Sequence, residues 1–359
     1  MRIAQIAPLW EQVPPPAYGG TELVVSLLTE ELVHRGHEVV LFASGDSQTS
    51  ATLKPCSEES LRAMGISHGD REAQVYETLQ LKKVFQQAKQ FDLIHCHMDV
   101  SAFSYVDLID TPTVHTTHGI IPSHLEPLWR DASQQNFVSI SDSQRRNDLD
   151  LNYVSTVYNG INTEIFPFHA QPDKESPYLA FLGRISPQKG PHLAIEIAKR
   201  TGWHLKIAGK VDSVDVDYYE HQVKPYIDGE QIEFVGEANH KQKCRLLGGA
   251  TATLFPITWA EPFGLVMAES MAVGTPVIAI EMGSTPEVIA HGKTGFLCGD
   301  VEHCIAALAK IDRLNRRHCR EHILSNFSVR QMVDGYEEVY RQLVTKKFSR
   351  NGHLVSSLN

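Results

Sequence analysis

Two carboxylates eight residues apart, Glu261 and Glu269, mark the stretch of this chain best suited to hold a hydroxylated ligand. Glu261 is followed by Pro262-Phe263-Gly264 and then by Leu265-Val266-Met267-Ala268, which reads as the start of a helix. Gly264 allows backbone N–H groups to approach a ligand closely, and the amides near Leu265 and Val266 that open the helix can receive an anionic oxygen. Glu261 on the loop is free to accept hydrogen bonds from sugar hydroxyls, and Glu269 lies about two turns into the helix, within reach of a second hydroxylated group. The bland alternative is that acidic residues near a helix start merely suit the positive end of its dipole.

A second constellation is Gly183-Arg184-Ile185-Ser186-Pro187-Gln188-Lys189-Gly190. It follows one strand pattern and precedes a helix, so Arg184 and Lys189 can bring two cations to the end of a sheet. A departing pyrophosphate needs such charge. A solvated basic loop is the competing reading. The run Pro16-Ala17-Tyr18-Gly19-Gly20-Thr21-Glu22 follows the first strand and opens the first amphipathic helix; Gly20 lets backbone amides face a phosphate or acceptor. It is not G-x-G-x-x-G, so a nicotinamide dehydrogenase has little support. His95-Cys96-His97 puts two imidazoles on one side of a strand, but no third ligand has recognisable metal spacing. The strings Asp148-Leu149-Asp150 and Asp215-Val216-Asp217 read as solvated charges, and no metal is expected.

These groups need a scaffold that gathers loops at one edge. Apolar runs at Ile3–Ala7, Val39–Ala43, Leu93–Cys96, Thr113–His115, Phe137–Ile140 and Thr156–Tyr158 alternate with helical patterns, most clearly Thr21–Arg35 and Arg71–Lys89. The alternation repeats at Tyr178–Leu182, Leu205–Ala208, Ile232–Val235, Ala252–Phe255, Pro276–Ile280 and Gly295–Leu297. Repeated strand–helix units imply parallel sheets covered on both faces, hence an α/β fold of two Rossmann-like domains facing across a cleft. The expected division is 1–166 for the first domain and 167–327 for the second, with a proline-rich linker between them. A last helix is expected over 328–345 and a frayed polar tail over 346–359.

The bulk properties agree with that scaffold. A chain of 359 residues suits two domains, and 42% hydrophobic with 21% charged residues is a globular composition. A formal charge of -10 argues against nucleic acid or an anionic membrane as the main partner. No apolar run is long enough to span a bilayer or serve as a signal peptide, and the six cysteines lack a C-x-x-C pair. A cytoplasmic location is the expectation.

Ala260–Ala272 resembles the E-x7-E element of family-4 retaining glycosyltransferases, which have the GT-B fold. Gly183–Gly190 is similar to that family's G-R-x-x-x-x-K-G segment, Gly19–Glu22 to its G-G-x-E start, and Thr116–Gly119 to its T-x-H-G element. Asn159–Asn162 and Gly283–Ile289 match further, except that the family usually has Asp at position 162 and Gly at 284. The resemblance implies a metal-independent enzyme that needs no cofactor and takes a hexose, expected to be glucose, from a UDP-sugar. It implies catalytic roles for His118, Arg184, Lys189 and Glu261. It places the donor on Gly20, Arg184, Lys189, Glu261, Phe263, Gly264, Leu265, Val266 and Glu269, with Glu269 on the ribose. No nucleophile is uniquely placed, so same-face attack and a covalent intermediate are both open. Within the family the chain is similar to the UDP-glucose:tetrahydrobiopterin α-glucosyltransferases of cyanobacteria, which implies a small pteridine acceptor. Trp10 and Tyr18 would stack on it, with simple packing as the alternative. Other family-4 transfer to a sugar or lipid, a nucleotide-sugar epimerase and a non-catalytic sugar-nucleotide-binding protein are the competing functions.

Overall fold

The computed structural model describes residues 1–16, 19–67 and 69–356, with side chains through 346. Tyr18, one of the two proposed stacking aromatics, lies outside the described residues. Two parallel sheets organise the chain. The first contains β1 (Arg2–Ile6), β2 (Glu38–Ala43), β3 (Thr52–Pro55), β4 (Leu93–Cys96), β5 (Thr113–Thr117), β6 (Asn136–Ser139) and β7 (Tyr153–Thr156), in the order β3-β2-β1-β4-β5-β6-β7. The second contains β8 (Tyr178–Leu182), β9 (His204–Ala208), β10 (Ile232–Gly236), β11 (Ala252–Phe255), β12 (Val277–Ile280) and β13 (Gly295–Cys298), in the order β10-β9-β8-β11-β12-β13. Both are doubly wound: the strand order reverses beside β1 in one and beside β8 in the other. Ligands of such sheets bind beyond the carboxyl ends at the reversal. That rule singles out the loops after β1 and β4, and after β8 and β11.

The central strands are buried on both faces, mostly by apolar residues, because helices cover them. In β1, Ile3, Ala4 and Ile6 are fully buried, as are Leu179, Ala180 and Phe181 in β8. Each sheet has its own core, with Phe42, Leu81, Val84 and Ile94 in the first and Phe181, Ile195, Ile207 and Leu254 in the second.

Several expected boundaries move. The strand expected at Thr156–Tyr158 is Tyr153–Thr156. β3 was not anticipated; it is a four-residue, largely exposed edge strand ending in Pro55, with no apolar alternation to announce it. The last helix is Val329–Ser356, so the backbone over 346–356 is helical rather than a frayed tail; no proline interrupts it.

The chain divides into two compact units, one of residues 1–140, 145–160 and 329–359, the other of 141–144 and 161–328. The final helix therefore belongs to the first unit. The division falls at Gly160/Ile161 instead of inside the proline-rich stretch, because that stretch is bound to the second unit. Arg320 donates to the carbonyls of Thr163, Phe166 and Ala272, and the His169 N–H donates to the Val273 carbonyl. Ser141–Gln144 joins the second unit because the Glu287 carboxylate accepts from the backbone N–H groups of Asp142 (2.7 Å) and Ser143 (2.8 Å).

Candidate active site

In the second unit, β11 delivers the chain into a loop that turns at Gly264 and enters the Leu265–Ala272 helix. Gly264 has φ +76°, and a Cβ there would lie 2.8 Å from Met267 Cε and 3.0 Å from Phe255 Cζ, so only glycine fits. Phe263 is buried, and its carbonyl accepts from Ser284 Oγ at 2.9 Å. The serine that replaces the family's usual glycine thus ties down the loop. Gly264, Leu265 and Val266 are half-buried while the rest of the helix is buried. Their N–H groups open the helix with no carbonyl one turn behind them, which makes an anion receptor.

Glu261 is 7% exposed. Its Oε2 accepts from Lys189 Nζ and from Trp259 Nε1 (2.9 Å), and Lys189 also sits 5.1 Å from the centre of the Trp259 ring. No partner bonds Oε1 among the described residues, which leaves an acceptor for a ligand hydroxyl. Lys189 reaches this point because the loop after β8 turns at Gly190, where a Cβ would collide with the Pro256 carbonyl at 2.0 Å. Arg184 does not converge on the same carboxylate. It faces Asp212 at 3.8 Å and Asp215 at 3.6 Å, and neither Arg184 Nε nor Asp215 Oδ2 has a hydrogen-bond partner among the described residues. Asp215 is therefore not a solvated charge: it is 9% exposed, and burial raises its pKa. The loop after β9 brings it in, a through-space placement that its D-x-D string does not encode.

Glu269, 4% exposed, pairs with Lys243 of the His240–Gly249 helix, and the ammonium also lies 5.5 Å from the Phe166 ring centre. Sequence reading missed Lys243 and Trp259. The reciprocal capping box of Asn239 and Gln242 does fix where Lys243's helix begins, and hence puts Lys243 on its first turn.

The first unit gathers Gly20, His118 and Trp10 separately. Gly20 begins the Gly20–His34 helix, exposed, with Gly19 as its cap. Trp10 is half-buried and packs on the core around Leu9 and Leu61, which favours the packing alternative. His118 follows β5, half-buried, and its Nε2 bonds His97 Nδ1 at 2.8 Å. Burial pushes its pKa down to about 4. His97 continues to Gln5 Oε1 (3.0 Å), while His95 bonds Tyr340 (2.7 Å) and Thr116 (2.7 Å). Burial and the neighbouring imidazoles hold His95 and His97 well below the ordinary histidine range, so these rings are neutral hydrogen-bonding groups.

Two family models match the chain. "Glycosyltransferase Family 4" matches residues 18–165 and "Glycosyl transferases group 1" matches residues 162–322. A glycogen synthase of Mycobacterium tuberculosis is 26% identical over 95% of this chain and 94% of its own length. Among solved structures, a sucrose-phosphate synthase from Thermosynechococcus elongatus superposes with a TM-score of 0.74 at 20% identity, covering 96% of this chain and 100% of that one. HepE of Anabaena in complex with UDP and glucose gives 0.71 at 18% identity over 96% and 100%. No helix among the described residues is long and apolar enough to cross a membrane. With two doubly wound parallel-sheet domains and both family models in register along the chain, the protein is a glycosyltransferase of the group 1 and family 4 superfamily with the GT-B fold.

Proposed function

We propose that the protein transfers a hexosyl group, glucose first among the candidates, from a UDP-sugar to a hydroxyl of a small acceptor, with retention of anomeric configuration and without a divalent cation. The observation that carries this reading is the buried Glu261, held by Lys189 and Trp259 beside the open amides of the Gly264 turn. In the reaction the anomeric carbon–phosphate oxygen bond breaks, and UDP leaves with the electron pair. The acceptor oxygen forms the new bond, and its proton passes to the departing phosphate or to solvent. Lys189, Arg184 and the Leu265 and Val266 amides stabilise the charge growing on the diphosphate, as preorganised dipoles and cations do. Glu261 Oε1 and the Phe263-Gly264 backbone hold the transferred sugar, Glu269 takes the ribose hydroxyls, and the family resemblance gives His118 a catalytic role. The HepE complex with UDP and glucose supports the choice of donor.

The test is UDP release from UDP-glucose in chelator, with and without a panel of sugar, lipid and pteridine acceptors, and with the product anomer read by NMR. Acceptor-dependent release with an α-linked product is expected. An isomerised donor would make the protein an epimerase, and binding without turnover would make it a non-catalytic module. Loss of rate in chelator restored only by Mg²⁺ or Mn²⁺ would refute metal independence. The pteridine arm tests the narrower resemblance, for which Trp10 packs on the core and Tyr18 lies outside the described residues.

A further inference from the structure

The first unit contains a continuous chain of buried hydrogen bonds. Starting at His118, it runs through His97 to Gln5, from Gln5 Nε2 to the Tyr340 hydroxyl (3.2 Å), on to His95 Nδ1, and from His95 Nε2 to Thr116 Oγ1. Thr116 Oγ1 then meets the Tyr336 hydroxyl at 3.0 Å. Gln5, His95, Thr116, Tyr336 and Tyr340 are fully buried, and His97 is nearly so. Every member except Gln5 can reverse its role, because a neutral imidazole has two tautomers and a hydroxyl rotates. In the orientation it adopts the amide cannot: its oxygen only accepts and its nitrogen only donates.

We propose that Gln5 is a positioning residue that fixes the tautomer of His118, so that His118 presents an unprotonated Nδ1. The inference rests on the reading of His118 as a catalytic residue. Gln5 Oε1 faces His97, so His97 must carry its proton on Nε2 and accept at Nδ1. His118 must then donate from Nε2, which leaves Nδ1 as a bare acceptor for a sugar hydroxyl. On the other side Gln5 Nε2 donates to Tyr340, whose proton points to His95 Nδ1. His95 therefore donates from Nε2 to Thr116. One amide sets the direction of hydrogen bonds on both sides of itself. The ordering of a ring nitrogen by the partner of its other nitrogen is the general rule for histidine.

The test is a substitution that changes the amide's polarity on one side only. In Gln5→Glu both oxygens accept, so His97 and His118 keep their tautomers. Tyr340 must turn its O–H toward the carboxylate, and His95 must then donate from Nδ1. Long-range ¹⁵N–¹H spectra of histidine-labelled protein report which ring nitrogen is protonated. The expected result is Nε2–H at His118 and His95 in the natural protein, and in Gln5→Glu an unchanged His118 with His95 switched to Nδ1–H. Nδ1–H at His118 in the natural protein, or an unswitched His95 in the variant, overturns the proposal. These spectra need no substrate, so they stand or fall apart from the assigned activity. Kinetically, Gln5→Leu should lower kcat on the order of tenfold with donor KM little changed, as for other groups that orient one reacting side chain. Gln5→Glu should restore most of that loss; an unchanged kcat in Gln5→Leu also overturns the idea.

Discussion

The two units solve the same problem with opposite electrostatics. Around Glu261 and Glu269 the second unit buries charges and pairs each with a lysine. Around His118 the first unit buries titratable rings and keeps them all neutral. A buried ion is tolerated only with a partner, whereas a buried imidazole avoids the cost by giving up its proton. An anion arriving in the second unit would have to compete with these carboxylates for the two lysines. The buried rings of the first unit offer uncharged hydrogen bonds instead.

The comparison can be broken most severely at Lys189. Lys189→Ala should lower kcat by about 10²–10³-fold, the usual loss when a group aimed at transition-state charge is removed. Steady-state kinetics on protein shown to be folded checks this, and a change confined to donor KM would reassign the residue to ground-state binding. Glu269→Ala should instead raise donor KM by about tenfold or more with kcat nearly intact, because a ribose contact exists before and during reaction. Untouched donor kinetics would remove Glu269 from the nucleotide site. Trp259→Phe keeps the ring under Lys189 and deletes only the N–H to Glu261. A single hydrogen bond to a charged group corresponds to about tenfold in kcat, and no change would mean that Lys189 alone holds the carboxylate.

The smallest effect sharpens the neutral side. His115 and His118 are each pushed down to about 4 by burial. The unfolded chain protonates such rings near pH 6.5, so between about 6.5 and 4 it binds more protons than the folded state. Their contribution to stability is full above about pH 6.5 and is lost as pH falls to about 4. Glu22, pushed up to about 7 chiefly by burial, acts in the other direction: its contribution is full below about 4.5 and is lost as pH rises through about 7. His115→Phe tests this, since the ring packs against Phe103 and Phe137 and neither nitrogen makes a geometric hydrogen bond among the described residues. The variant should show a shallower fall in Tm between pH 6.5 and 4, and an unaltered slope would show that His115 does not titrate there.

What could be read in advance was local. Glu261, Gly264 and Glu269 lie within one strand–loop–helix unit, so their spacing encodes their neighbourhood, and the β–α alternation encodes the parallel sheets. Lys243 lies 26 residues from Glu269, and His97 lies 92 from Gln5, so those pairs exist only after the strands have assembled. His95 and His97 were legible as a same-face pair, but their partners on β1, after β5 and in the last helix were not. Asp215 failed for the same reason in reverse: a short acidic string looks solvated until a distant arginine is placed against it.

The last helix carries a consequence for how the molecule is made. Met332, Val333, Tyr336, Val339 and Tyr340 are all buried in the first unit, yet they emerge only after the whole span 161–328 has been synthesised. At ordinary translation rates that interval is on the order of ten to thirty seconds. Throughout it the nascent first sheet lacks the helix that covers this face and the Tyr340 hydroxyl that bonds Gln5 Nε2 and His95 Nδ1. The second unit, nearly continuous in sequence, has no such wait. The part of the protein begun first is therefore finished last, and a cell making it must protect that face in the meantime.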